Sequence, residues 1–293
     1  MLGEVIDEIR CKKGLTIKEM LGSKLSRSAY DAFRSDSMNL RVEHFMCLLN
    51  RLHVIPIEVI LLSKELSKLS FFLNRGEKLV SYYNKQDKEA LLAERAFLKE
   101  ANLDSKFVQH MFWALDFFIA DLEKQTIPEK EMQRMKQFFL EIETWYRYEL
   151  YLFAGIGELF LDGDFLRMVL SALFKQQLNI NSKKQALALN CLHTVFLNAL
   201  TLRDQDLALH TLNLLLEAEI HPNLTYEKHY TCVLRLMYCY FLEEEEESLD
   251  LLNNYYRILS DLHCDHIFRI TWEWYEKFCL IYEKPMKLKR DVY

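Results

Sequence analysis

From Asp164 to Tyr293 the chain contains no glycine. Tight β-turns and hairpins lean on glycine for backbone conformations with positive φ. A second half without it is not expected to be all-β or α/β. Its long runs of Leu, Glu, Lys, Gln and Ala favour helix instead. The whole chain of 293 residues holds seven glycines and four prolines, and 51% of it is hydrophobic. That is enough apolar surface for a sizeable core, in one to three domains of roughly 100–200 residues. An all-α fold is expected.

The amino-terminal sixty-odd residues carry a distinct pattern. Val5, Ile6 and Ile9 give an apolar face to a helix over about residues 2–13, ended by Gly14. Thr16 and Glu19 match the T-x-x-E capping box, in which hydroxyl and carboxylate each satisfy an orphan backbone N–H. Gly22 permits a turn. Ser26 then stands as a strong N-cap before a second short helix, with Tyr30 and Phe33 facing inward and Arg27, Ser28 and Asp31 outward. Val42, Phe45, Met46, Leu49 and Leu52 lie at helical spacing in a fourth helix. Pro56 opens a fifth at the first helical position, where its missing N–H costs nothing. This is the five-helix layout of a lambda-repressor-like helix-turn-helix. Asp36 stands where that class usually has glycine, a residue type that still tolerates the left-handed region.

The net charge of −6 argues against nucleic acid only if it is evenly spread. It is not: from Arg10 to Arg27 there are six basic residues and one acidic, Glu19. A basic patch on the presumed reader and acidity elsewhere fit a DNA-binding module joined to an acidic body. Arg27 and Ser28, at the start of the recognition helix, are the candidates for base contact. An arginine fork can pair with guanine. Thr16, Lys18, Lys24 and Arg34 are candidates for phosphate contact. Seven cysteines without close metal-like pairs, no visible signal peptide and no stretch near ~18 apolar residues lead to an expected cytoplasmic protein with no membrane contact.

Beyond about residue 64 the pattern becomes helices with short breaks. The breaks fall near Gly76, Asn84, Asn102–Asp104, Pro128, Gly163, Asn179–Ser182, Arg203–Asp204, Pro222, Glu243–Glu247 and Cys264–Asp265. Helix pairs every 35–45 residues or so point to a tetratricopeptide-like array, though on periodicity alone. The expected division is a reader over 1–64 and a helical-repeat domain over 65–293.

Two segments resemble a known family. Leu25-Ser26-Arg27-Ser28-x-Tyr30-x-x-Phe33 resembles the reader of the Rgg/GadR/MutR regulators. The turn with Asp36 looks more like that of the related pheromone receptors of conjugative plasmids. Thr144-Trp145-Tyr146-Arg147-Tyr148-Glu149-Leu150-Tyr151-Leu152-Phe153 looks like the W-x-Y-Y-E-L-x-L-F segment of the Rgg group. The resemblance spans essentially the whole chain. It implies a homodimeric, cytoplasmic transcription regulator of a Gram-positive bacterium, whose carboxy-terminal domain binds a short re-imported signalling peptide in quorum sensing. Some members bridge the dimer by a disulfide at the start of the fourth reader helix. Val42 stands at that position here, so the bridge is not expected; Cys47 lies further along.

The same reading supplies peptide-binding candidates. Asn190, Thr194 and Asn198 recur every four residues on an apolar helix, and carboxamides can grip an extended backbone. Inter-helix bonding explains such a stripe equally well. Arg147 could pair with a peptide carboxylate or with a structural acid. Tyr226 and Tyr230 could line the groove or the core. No metal site is expected from His263-Cys264-Asp265-His266, no calcium loop from Asp162-Gly163-Asp164 and no dinucleotide site from Gly155-Ile156-Gly157. No nucleophile–base pattern stands out, so neither an enzyme nor a cofactor is expected. Two alternatives stay open: a helical scaffold whose amino-terminal module has lost DNA binding, and a regulator with small-molecule or redox input.

Overall fold

The computed structural model describes residues 2–63, 71–100, 106–174 and 182–288, and every regular element among them is helical. The chain forms two compact units, Met1–Leu91 and Leu92–Tyr293. The boundary expected near residue 64, like the breaks expected at 102–104 and 179–181, lies outside the described residues. No single helix among the described residues is long and apolar enough to cross a membrane.

The first unit opens with α1 (Leu2–Lys12), α2 (Ile17–Leu21), α3 (Arg27–Arg34), α4 (Val42–Leu52) and α5 (Pro56–Leu62). Local chemistry sets the starts of α2, α3 and α5. The capping box forms: the Glu19 N–H donates to Thr16 Oγ1 at 3.2 Å, and the Thr16 N–H donates to Glu19 Oε2 at 2.7 Å. Ser26 caps α3 by accepting from the Ala29 N–H at 3.2 Å. Pro56 occupies the first turn of α5. Asp36 takes φ 60°, so aspartate does fill the left-handed turn after α3. Ile6, Met20, Tyr30, Leu49, Leu52 and Val59, all at 0–1% exposure, centre the core. Gly3 lets α1 approach α3: a Cβ there would stand 2.5 Å from the Phe33 carbonyl oxygen.

Three expectations need correction. Val42 and Met46 do not join the core; they are 72% and 38% exposed, and Leu48 packs inside instead. Gly76 breaks nothing, because it lies within α6 (Phe71–Asn84); one glycine costs a helix only ~1 kcal/mol. Arg10 leaves the basic surface: Nε donates to Asp7 Oδ1 at 2.8 Å and Nη1 to the Leu15 carbonyl at 2.6 Å.

After α7 (Lys88–Glu100), the second unit continues with α8 (Lys106–Leu122), α9 (Glu129–Leu140), α10 (Arg147–Ile156), a 3-10 turn (Gly157–Leu159) and α11 (Gly163–Phe174). It ends with α12 (Ser182–Thr201), α13 (Gln205–Glu217), α14 (Thr225–Leu242), α15 (Glu246–Asp261) and α16 (Asp265–Ile281). The helices alternate between two rows. In one, α8, α10, α12, α14 and α16 are successive neighbours; in the other, α9, α11 and α13 are. From α11 to α16, consecutive helices pack across the rows. Some breaks carry capping chemistry, as at Asp204, whose Oδ1 accepts from the Leu207 N–H at 3.1 Å.

α12 is the spine, with every residue from Cys191 to Leu200 buried. Beside it the segment 144–153 sends Trp145, Leu150, Leu152 and Phe153 into the core, while Thr144, Tyr146 and Arg147 stay exposed. Trp145 is 1% exposed, with ring centroids 5.1 Å from Phe139 and 5.5 Å from Phe153. Tyr148 bonds through its hydroxyl to His110 Nδ1. Burial pushes that imidazole down to about 4, with help from the nearby Lys106 charge, so it is neutral at pH 7.

Candidate functional site

Two surfaces carry the candidate residues, one on each unit. On the first, α3 follows α2 across the turn at Gly22, and its inner face is pinned by Tyr30 and Phe33, 0% and 5% exposed. Tyr30 donates its hydroxyl to Asp7 Oδ1 at 2.8 Å. Asp7 thereby joins α1 to α3. Its own burial pushes the carboxyl up, but hydrogen bonds from Arg10 and Tyr30 and the charges of Arg10 and Arg34 outweigh that and hold it below the usual range.

With the inner face fixed, Arg27 and Ser28 are exposed on the first turn of α3, and Thr16, Lys18 and Lys24 are exposed nearby in sequence. The arginines are not idle. Arg27 Nε donates to Asp31 Oδ2 at 3.2 Å. Arg34 reaches Asp7 Oδ2 at 3.5 Å and Asp31 Oδ1 at 3.8 Å. The Thr16 hydroxyl is occupied by the capping box.

On the second unit the polar stripe of α12 divides. Asn190 is half-buried. Thr194 is 7% exposed and donates to the Asn190 carbonyl at 3.1 Å, as a helical threonine commonly does. Asn198 is 0% exposed, and its amide donates to the carbonyls of Gly157 and Phe160 at 2.9 and 3.1 Å. Thr194 and Asn198 therefore serve packing between α12 and the 3-10 turn. Burial at this site is what a ligand-gripping stripe would not have. Gly157 finds its reason there too: a Cβ on it would lie 2.9 Å from both Phe153 and Thr194.

Tyr226 and Tyr230 stack on α14, centroids 5.9 Å apart and planes 8° from parallel. Tyr230 is 6% exposed and meets His193 edge-on at 4.9 Å, so it belongs to the core, while Tyr226 is half-buried above it. Arg147 is exposed at the first residue of α10, at the opposite end of that helix from Glu158.

Sequence reasoning missed the charged group near these tyrosines. Glu158, in the 3-10 turn, is open to water yet hemmed in by protein. Desolvation pushes its carboxyl up to about 7; Lys277 opposes this, while Asp121 and Glu273 reinforce it. Burial lowers Lys277 in turn, against the pull of Glu158 and Asp121. Lys277 Nζ sits 4.2 Å from the Trp274 ring centroid, a cation–π contact. The buried Tyr230 hydroxyl also feels Glu158. The 3-10 turn, α8, α14 and α16 thus share one field, with aromatic and ionic side chains side by side. Positions 121, 158 and 277 have no local spacing that could have announced this.

Among the described residues, Cys239, Glu243 and Glu245 bring potential metal-ligand atoms within 4.8 Å of one another. Burial and a hydrogen bond with Glu243 push the Cys239 thiol up to about 11, which opposes the thiolate a metal needs. His263, at φ 52°, serves the turn between α15 and α16. Asp162 caps α11 and pairs with Lys136 at 2.7 Å.

No protein-family model matches the chain, and no curated protein matches it. Solved structures do. The SHP pheromone receptor Rgg2 of Streptococcus dysgalactiae is 16% identical, with a TM-score of 0.73 over 94% of this chain and 99% of that one. PrgX in complex with cCF10 is 14% identical, with a TM-score of 0.72 over 94% and 99%. A Listeria monocytogenes EGD-e protein, solved as a candidate transcriptional regulator, is 17% identical, with a TM-score of 0.76 over 95% and 97%. The chain has the helical fold of these regulators along nearly its whole length, and the resemblance read from its two motifs holds at that level.

Proposed function

We propose that the chain is a DNA-binding transcription regulator whose second unit senses a short signalling peptide. The observation that carries the first half is the placement of Arg27 and Ser28. Both are exposed on the capped first turn of a helix whose opposite face is locked into a five-helix core. Major-groove readers present their base-contacting side chains in this way. Lys18, Lys24 and Arg34 then serve as phosphate contacts, and Thr16 contributes through its position at the start of α2. The reader is assigned to residues 1–64 and the sensor to 65–293.

The peptide half rests on the fold it shares with the PrgX/cCF10 complex and the Rgg2 receptor, and on the aromatic and ionic group around Tyr230, Glu158 and Lys277, on which Tyr226 stacks through Tyr230. Of the peptide candidates, Arg147, Asn190 and Tyr226 remain reachable from solvent. Tyr230 supports Tyr226 from beneath, and Thr194 and Asn198 support the turn that carries Glu158. Exposed apolar side chains on α4 and α5, Val42 at 72% and Leu62 at 59% among them, favour a homodimer. A dimer would also pair two readers on paired half-sites. The reading places the protein in the cytoplasm, as a regulator rather than an enzyme.

One observation favours the scaffold alternative: Arg27 and Arg34 are both engaged by carboxylates of their own unit. Fluorescence anisotropy separates the two. Full-length protein is titrated onto duplexes tiled across the gene's upstream region at two salt concentrations. The regulator binds one fragment, more weakly at higher salt, and R27A and S28A lose that preference. A scaffold binds no fragment with salt dependence.

A further inference from the structure

Arg27 is tethered by its own helix. Its Nε donates to Asp31 Oδ2 at 3.2 Å, one turn further along α3, while the two side chains remain 64% and 42% exposed. Asp31 also lies 3.8 Å from Arg34 Nη2, so it stands between the two arginines of the recognition helix. An exposed i,i+4 pair adds little to stability. A carboxylate on a DNA-facing surface also repels phosphates and so lowers non-specific affinity. What the pair does supply is geometry. Arginine has five N–H donors in a planar fork. With Nε held by Asp31, the side-on mode that uses Nε is taken, and the end-on pair Nη1/Nη2 is left. That pair matches the O6 and N7 acceptors of guanine. An untethered arginine swings as readily to a phosphate, which carries no sequence information.

Resting on the DNA-binding reading, we propose that Asp31 is a positioning residue: it orients Arg27 to read guanine end-on and so sets a guanine preference at one position of each half-site. Asp31 itself touches no base in this arrangement. It acts through Arg27, and its own charge makes the reader more selective by weakening attachment to arbitrary sequence.

The test is selection of full-length protein on duplexes with a randomised segment of about 20 base pairs, followed by affinity measurements on the selected site and on sheared genomic DNA. Wild type, R27A, D31A and D31E are compared. Wild type enriches a site containing a guanine whose selection disappears in R27A. D31A, which removes both the acceptor and the charge, loses preference for that same guanine by about tenfold or more, yet binds sheared DNA more tightly than wild type, which damage to the fold would not produce. D31E, whose longer carboxylate still reaches Nε, recovers part of the preference. The inference is overturned if D31A keeps the wild-type preference, if it weakens on selected and sheared DNA alike, or if the selected guanine does not depend on Arg27. In those three cases the DNA-binding reading stands. If wild type enriches no sequence and binds no DNA with salt dependence, that reading fails and takes the inference with it.

Discussion

Asn198 donates its side-chain amide to the carbonyl of Gly157 at 2.9 Å, fastening the buried middle of α12 to the turn that carries Glu158. A second bond reaches Phe160 at 3.1 Å. Replacing Asn198 by alanine strands the buried Phe160 carbonyl, while that of Gly157 keeps the Phe160 N–H at 3.1 Å, and is expected to cost about 1–3 kcal/mol. Asn198→Asp is expected to cost more, since a carboxylate can only accept and would face two acceptors. Chemical denaturation followed by tryptophan fluorescence checks both. Equal stabilities for the wild type and both variants would mean that the amide is not structural.

Gly157 sets the close approach at the same place. Gly157→Ala puts a methyl 2.9 Å from Thr194 Cγ2 and from Phe153. Overpacking of this kind costs about 1–3 kcal/mol. Thr194→Ser removes Cγ2 and is expected to recover part of the loss in the double variant. Strictly additive effects would contradict the contact.

Asp7 makes the reader sensitive to acid. Its folded carboxyl is held below the ordinary value of 3.8, so the unfolded chain binds more protons in the window beneath that value. The stabilisation is therefore fully present above about pH 4 and is lost as pH falls through the folded value. Hydrogen exchange of α1 and α3 amides is expected to quicken below that point in wild type. Asp7→Asn should exchange faster throughout and lack this added acid step; the same acid step in the variant would exclude Asp7 as its source.

Glu158 runs the other way. A carboxyl raised to about 7 keeps its proton in the folded state over a range where the unfolded chain has released it. This group's contribution therefore falls as pH rises from about 4.5 through 7. Carbon-13 NMR of labelled glutamate is expected to find one side chain titrating near 7, absent in Glu158→Gln. A Glu158 signal titrating near 4.5 would mean that the surrounding protein does not desolvate it.

The reader was legible because its determinants are local. Ser26, the Thr16/Glu19 box and the Tyr30/Phe33 pair each act within one or two turns. The second unit was legible as helices for the same reason, with Asp204 and Pro222 near chain breaks. What failed was what depends on neighbours distant in sequence. Periodicity gives Val42 and Met46 an apolar face but not what covers it, and both stay exposed. The Asn190–Thr194–Asn198 stripe could be seen, but not that the 3-10 turn closes over its far end. Glu158, Asp121 and Lys277 meet only through the stacking of helices, which no spacing encodes.

The most direct test joins the two units. DNA affinity of the full-length protein is measured by anisotropy on its selected fragment, with and without short synthetic peptides encoded beside the gene, in wild type and Glu158→Gln. A peptide that binds is expected to shift DNA affinity about fivefold or more, with a weaker shift in the variant. Calorimetric binding of a peptide that leaves DNA affinity unchanged, or no binding by any of them, would contradict a peptide-sensing regulator.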